Sequence, residues 1–181
     1  ITDLGRRSLA TLDSLTGVRY KRGRLGLWVG AEGQVYEEWD SATHIVDRFP
    51  VPPSWRRIRV IDWGYNNPFV CLWIAVDHDG RMYVYRELYM SGRTVARHKV
   101  DICLHSLGET YEATIADHDA EDRATLGETT VISDPALVAR LTAAGFAKDS
   151  AGNVRLPPIA TKAADKRVRV GIERVQGRLK A

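Results

Sequence analysis

A chain of 181 residues with 44% hydrophobic content holds enough apolar material for one ordinary core, which excludes an intrinsically disordered protein. A formal net charge of only +3 excludes the strongly basic and strongly acidic binders, so any charged partner must be read from where the charges lie. No run of 18 apolar residues occurs, the start ITDLGRRSLATL lacks the order of a signal peptide, and Cys71 and Cys103 sit in apolar segments without metal-ligand spacing, which predicts buried thiols and a cytoplasmic setting.

In chain order, the first 57 residues are irregular. A short helix-like stretch from Leu4 to Leu15 is followed by LGLWVGAEGQVYEEWD and then by VPPSW, where consecutive prolines break the backbone. Residues 1–57 therefore read as a connecting arm, and residues 58–181 as the compact domain. Arg59 to Trp63 and the apolar run Phe69 to Val76 are predicted strands, joined on the far side by the turn DHDG to a third, Met82 to Leu88. Alternation along the third strand places Tyr83, Tyr85 and Glu87 on one face and Met82, Val84, Arg86 and Leu88 on the other. A helix is predicted from about Thr94 to Leu107, with Val95, Val100, Ile102 and Leu104 inward. A fourth strand, Ala113 to Ala116, ends in Asp117, and the polar loop DHDAEDRATL follows it. Asp134-Pro135 is a cap-and-start signal for a helix running to about Ala144. AKDSAGNV reads as a turn, IAT at 159–161 as a strand, and the last helix carries Val168, Ile172, Val175 and Leu179 on one stripe. An antiparallel meander, a helix, a fourth strand and then alternating elements predict an α/β fold.

Two residues carry the chemistry. Asp62 and Asp117 each close a short apolar strand at its C-terminal end, the edge where ligands of open α/β sheets bind. If the first and fourth strands are neighbours, the two carboxylates meet there. Like charges so close repel unless a cation lies between them, and hard oxygen ligands suit Mg²⁺ or Mn²⁺. Taken singly, Asp62 could equally be a cap or a surface ion-pair partner. Asp119 could contact a metal through water, whereas His118 alternates away from Asp117. Glu87 is either a further acid near the metals or a solvent-facing or arginine-paired group. Trp63, Tyr65 and Trp73 read as core aromatics rather than as nucleobase platforms. Basic residues crowd both ends, with Lys162, Lys166, Arg167 and Arg169 candidates for holding phosphates.

The segments GRLGLWVGAEGQVYEEWD, IDWGYNNPFVCLWIAVDHDGRMYVYRELY, TIADHDAEDRATL and IATKAADKRVRVGIERV, in that order, resemble the C-terminal nuclease part of the large terminase subunit of tailed bacteriophages. The resemblance runs from about Leu12 over most of the chain. It implies an RNase H-like fold, a mixed sheet of a three-strand antiparallel meander plus further parallel strands flanked by helices. It also implies cutting of concatemeric double-stranded viral DNA during packaging, with two divalent cations, Mg²⁺ or Mn²⁺, held by a cluster of acids about 3.5–4 Å apart. On this likeness Asp62 and Asp117 match the first-strand and fourth-strand acids, and Asp165, in ATKAADK, is a candidate substitute for the family's late acid. No GxxxxGK[ST] pattern occurs, so the family's ATPase motor is expected to lie outside these residues, and nothing after Lys162 resembles the family's late Asp-rich segment, so the nuclease domain is expected to be truncated at its C-terminus. Further implied are a small terminase subunit and a portal as partners of the intact protein, no membrane, a monomer as an isolated domain, and a place in the infected host's cytoplasm and transiently at the procapsid portal. Two other readings stay open. A sugar-kinase or actin-type ATPase shares the core and opens with a strand, Asp and Gly as in IDWGYNN, but needs a second glycine-rich loop that is not seen. A docking module for DNA or protein would need no metal.

Overall fold

The structure, a computed structural model, describes residues 13, 35, 36, 38–65, 67–117, 126–165 and 167–180. Two compact units emerge, one of Asp47–Lys166 and one of Ile1–Val46 with Arg167–Ala181. The helix expected from Leu4 to Leu15 and most of LGLWVGAEGQVYEEWD lie outside the described residues.

In the first unit three strands form the expected meander: β1 (Arg56–Asp62), β2 (Phe69–Val76) and β3 (Met82–Met90), paired antiparallel in turn. Helix α2 (Val95–His105) follows, numbered after the one-turn helix α1 (Ser41–His44) of the other unit. The chain then adds β4 (Ala113–Ala116) parallel to β1 and, later, β7 (Lys162–Ala163) parallel to β4. The five-stranded sheet has the order β3-β2-β1-β4-β7, an antiparallel meander extended by parallel strands, which is the mixed sheet that the resemblance implied. Between β4 and β7 lie β5 (Thr130–Ile132), α3 (Pro135–Ala143) and β6 (Val154–Leu156), with β5 and β6 pairing as a separate antiparallel ribbon.

Local chemistry sets several of these boundaries. Between β2 and β3, Asp77 Oδ1 accepts from the amides of Asp79 (3.0 Å) and Arg81 (2.8 Å), and Gly80 takes the left-handed conformation (φ 83°) that closes the turn. Helix α3 begins as expected: Asp134 Oδ1 accepts from Leu137 N (2.9 Å), with Pro135 in the first turn. Two departures also appear. A register shift between Trp73 and Ile74 pairs Trp73 with Arg86 and Ile74 with Val84, so Tyr85 is the extra residue of a bulge. Uniform alternation therefore fails, and Tyr85 packs on the core instead of sharing Glu87's face. The strand expected at 159–161 is displaced: Ile159 is a buried core residue, and ladder pairing starts only at Lys162.

The core face of the sheet, carrying Ile61, Cys71, Trp73, Leu88 and Ala116, packs with Ile102 of α2. On the other flank of the helix, Val100 joins Leu137, Leu141, Val154 and Leu156 in a second cluster. Helix α2 is thus the element shared by both cores. Val100 and Ile102 are inward as predicted, but the buried set of this helix also includes His98, Lys99 and Asp101. Lys99 donates Nζ to Leu126 O (3.1 Å), Thr130 Oγ1 (3.1 Å) and Glu128 O, which is how a fully buried ammonium is satisfied. Asp101 accepts from Arg93 (2.8 Å) and from Arg140 of α3 (2.9 Å), an ionic clasp between the two layers. Cys71 is buried and its thiol is pushed up to about 12, chiefly by burial, while Cys103 is half-buried; both are free thiols, as expected.

In the second unit, helix α4 (Val168–Leu179) forms where the apolar stripe was predicted, and Val175 and Leu179 of that stripe line a cavity with Val35, Tyr36 and Trp39. Lys180 pairs with Glu38 at 3.2 Å, and Gln176 donates to Val35 O at 2.7 Å. Among the described residues no helix is long and apolar enough to cross a membrane.

Candidate metal centre

Strand pairing decides where the acids go. β1 and β4 are parallel with Ile58 opposite Ala113 and Ile61 opposite Ala116, so Asp62 and Asp117 each directly follow the last aligned pair, at the same edge of the sheet. Ile61 and Ala116, the residues before each acid, are both buried on the core face, so alternation sends both aspartates to the opposite face. Asp62 is exposed and Asp117 half-buried. The pairing beneath them is pinned by a polar network: Arg59 donates Nε to Thr114 Oγ1 (3.0 Å) and a terminal nitrogen to Ser106 Oγ (3.1 Å), tying β1, β4 and the end of α2 together.

On the next strand, Ala164 N donates to Ala116 O (2.8 Å), so the chain is still paired when it reaches Asp165 one residue on. Asp62, Asp117 and Asp165 thus follow the C-terminal ends of three successive parallel strands, but Asp165 lies one row beyond the other two, so strict alternation turns it to the opposite face. Glu87 goes elsewhere. It lies opposite Leu72, and through it Val60, on the outer strand β3, so it is exposed about 10 Å from β1 on the face that carries Asp62. Asp119, His118 and Lys166 lie outside the described residues. Among the described residues no three Asp, Glu, His or Cys side chains gather closely enough to cage an ion.

The donor set nevertheless fits a hard divalent cation. Two aspartates that follow neighbouring strand ends offer oxygen ligands only, and Mg²⁺ commonly takes one or two carboxylates and keeps its waters. The turn after Asp62 is equally constrained: a Cβ on Gly64 would fall 2.3 Å from Asn67 O and 2.6 Å from Pro68 O. The chain can reverse this tightly only without a side chain there.

Of the basic candidates, Lys162 is exposed on β7, in the row of Ile115 and Val60 and hence on the face of Asp62. Arg167 and Arg169 begin α4 in the other unit, where Arg169 pairs with Glu173 (3.3 Å). Of the three aromatics expected in the core, Trp73 is fully buried and Trp63 half-buried. Tyr65 is not: it is 62% exposed on the turn that follows Asp62. Sequence reasoning also missed His98, which stacks on Phe69 (3.8 Å between ring centres) with neither ring nitrogen bonded among the described residues. Burial, helped by the Arg93 charge and opposed by Asp101, holds this imidazole below its ordinary value. Its position in the stripe Val95, His98, Ile102 was the available signal.

No protein-family model matches the chain, and no curated sequence matches it. Among solved structures, the large terminase from a thermophilic bacteriophage in complex with ADP is similar, with a TM-score of 0.57 and 22% identity over 99% of this chain and 39% of that chain. The same terminase in complex with ATP-γ-S gives 0.57 and 22%, covering 99% of this chain and 40% of that one. The P22 large terminase nuclease domain is more distant, with a TM-score of 0.49 at 17% identity over 81% of this chain and 68% of that one. The chain spans about two fifths of the thermophilic phage's terminase, and at this identity the likeness establishes a shared fold.

Proposed function

We propose that this chain is the nuclease part of a phage large terminase, a divalent-metal-dependent endonuclease that hydrolyses phosphodiesters in concatemeric double-stranded DNA during genome packaging. The observation that supports it most directly is the parallel pairing of β1 with β4, whose last aligned residues, Ile61 and Ala116, directly precede Asp62 and Asp117. In this reading those two carboxylates are the principal ligands of the cations, with Asp165, Asp119 through water, and Glu87 as secondary candidates. Bound Mg²⁺ or Mn²⁺ supplies a hydroxide-like water near neutral pH and charge for the leaving oxygen. The chain's own part is to orient: the acids fix the ions at the edge, while Lys162, Lys166, Arg167 and Arg169 draw the phosphate backbone in without reading its sequence. Residues 1–57 act as the arm toward an ATPase motor, and the small subunit, the portal and the host cytoplasm follow from the same reading.

Plasmid nicking tests it. With Mn²⁺ or Mg²⁺ the wild type should cut and chelator should stop it, while Asp62→Asn or Asp117→Asn should lose at least about 100-fold in rate. Both variants should keep the thermal stability of the wild type or exceed it, because removing one of two neighbouring like charges relieves repulsion. Calorimetric Mn²⁺ titration should show binding to the wild type and little to Asp62→Asn. Cutting that survives chelator, or an Asp62→Asn protein as active as the wild type, would overturn the assignment.

A further inference from the structure

The exposed aromatic rings at the acid edge are the features that the nuclease reading leaves unused. Tyr65 is 62% exposed and Tyr89 is 63% exposed. Single exposed apolar side chains are ordinary and call for no explanation. These two differ in where they stand and in how one of them is held.

Tyr89 lies opposite Val70, and Val70 opposite Asp62, so one row across three strands carries the acid and the ring on the same sheet face. Tyr65 lies three residues past Asp62 on the turn into β2. Its carbonyl accepts from Gly92 N (2.8 Å), which ties the turn to the segment just after β3. On its other side Gly64 leaves no space for even a methyl group. These backbone contacts hold the turn at the strand edge that Asp62 closes, and the ring it carries is exposed there. A tyrosine has only two χ angles to lose on contact, so stacking costs it little freedom.

Resting on the nuclease reading, we propose that Tyr65, with Tyr89 as the second ring, is a stacking platform for the bases left unpaired where the duplex frays at the cut. Aromatic stacking tolerates any base, because every base has a π face, so the platform would position a strand without imposing a cut sequence. The phosphate contacts proposed for Lys162 add affinity from the β7 side of the same face.

The test uses the whole chain in buffer with Ca²⁺ and a DNA duplex carrying a one-nucleotide gap beside a 2-aminopurine, followed by fluorescence and anisotropy, with Mn²⁺ plasmid nicking in parallel. Tyr65→Ala should weaken gapped-duplex binding about ten-fold and abolish the 2-aminopurine response, Tyr89→Ala should do so less, and Tyr65→Phe should behave as the wild type. Circular dichroism and Tm should not move, since the ring is largely in solvent. If Tyr65→Ala binds and quenches like the wild type, the platform is wrong, and loss of nicking by Asp62→Asn in the same preparations leaves the nuclease reading standing. If the wild type shows the Tyr65-dependent response but never nicks with Mn²⁺, the nuclease reading falls and the platform survives. A wild type that binds no gapped DNA overturns the platform as well.

Discussion

Replacing Gly64 with alanine adds one methyl group at the tightest place beside the acids. The new Cβ would fall 2.3 Å from Asn67 O, 2.6 Å from Pro68 O and 2.8 Å from the Pro68 carbonyl carbon, all backbone atoms, where ordinary contact begins at 3.4 Å. The carbonyls must therefore retreat by about 1 Å. They have little room: Pro68 restricts the residue before it, Phe69 next to it is fully buried, and the turn is held by the bond from Gly92. Overpacking of this kind costs about 1–3 kcal/mol, which for a chain of this size lowers Tm by about 2–12 °C. Activity should fall further than stability explains, because Asp62 is two residues away and a displacement of about 1 Å at a reacting centre can cost about 100-fold.

Gly80→Ala separates the two effects. Gly80 adopts φ 83° with nothing within 4 Å of where a Cβ would sit, so alanine there meets strain without a clash. The cost is about 1 kcal/mol or more, at the β2–β3 turn and at the opposite end of β2 from the acids. Urea denaturation and Mn²⁺-dependent nicking of both variants decide the matter. Gly64→Ala should be defective in cutting even at temperatures where it is fully folded, and Gly80→Ala should not. A Gly64→Ala protein within about 0.5 kcal/mol of the wild type would refute the steric reasoning. Equal loss of cutting in both variants would assign the defect to stability alone.

Asp101→Asn should destabilise by about 2–3 kcal/mol, because it strips the carboxylate that both Arg93 and Arg140 face; their partial exposure keeps the figure below that of a fully buried pair. A change in urea midpoint equivalent to less than about 0.5 kcal/mol would show that the clasp is idle. His98 predicts acid lability. Its folded-state value is depressed below 6.5 by burial and by Arg93, against the pull of Asp101, so the unfolded chain binds the proton more readily. Stability from this group is full above about pH 6.5 and is lost as pH falls below it; a His98→Leu protein should show a flatter stability profile between pH 6.5 and 5, and an unchanged slope would count against the assignment.

The neighbourhood of β1 and β4 was the condition that the sequence set for the acid pair, and parallel pairing has a constant offset. The interval from Asp62 to Asp117 is the interval from Ile58 to Ala113, so the register found between the strands is the one that the proposed pair requires. The meander was legible in the sequence, since β2 is a nearly continuous apolar run that suits a strand flanked by two others. What escaped depends on partners far along the chain. Nothing near Tyr85 marks a bulge, because Tyr and its neighbours are all acceptable in a strand. Lys99 and Asp101 look like a solvated helix face until Thr130 and Arg140 arrive to satisfy them. The β5–β6 ribbon consists of three-residue strands, too short for a period to register. Tyr65 was misassigned because aromatic character predicts burial only on average, and a turn held by backbone contacts can present a ring to water at no cost to the core.

These buried polar groups and the exposed acids belong to one division of labour. Helix α2 contributes Ile102 to the sheet's core and Val100 to the cluster with α3, and its Asp101 clasp adds direction to contacts that apolar packing leaves free to slide. The sheet can then hold β1 against β4 in a single register, the one that the proposed pairing of Asp62 with Asp117 requires. Weakening the clasp should therefore lower stability while leaving the alignment of the acids intact in molecules that remain folded. Distorting the Gly64 turn should alter that alignment directly. Asp101→Asn and Gly64→Ala, compared at equal fractions folded, should differ in nicking rate by an order of magnitude or more. Equal rates would mean that the edge takes its geometry from the second layer rather than from the strand register and the turn.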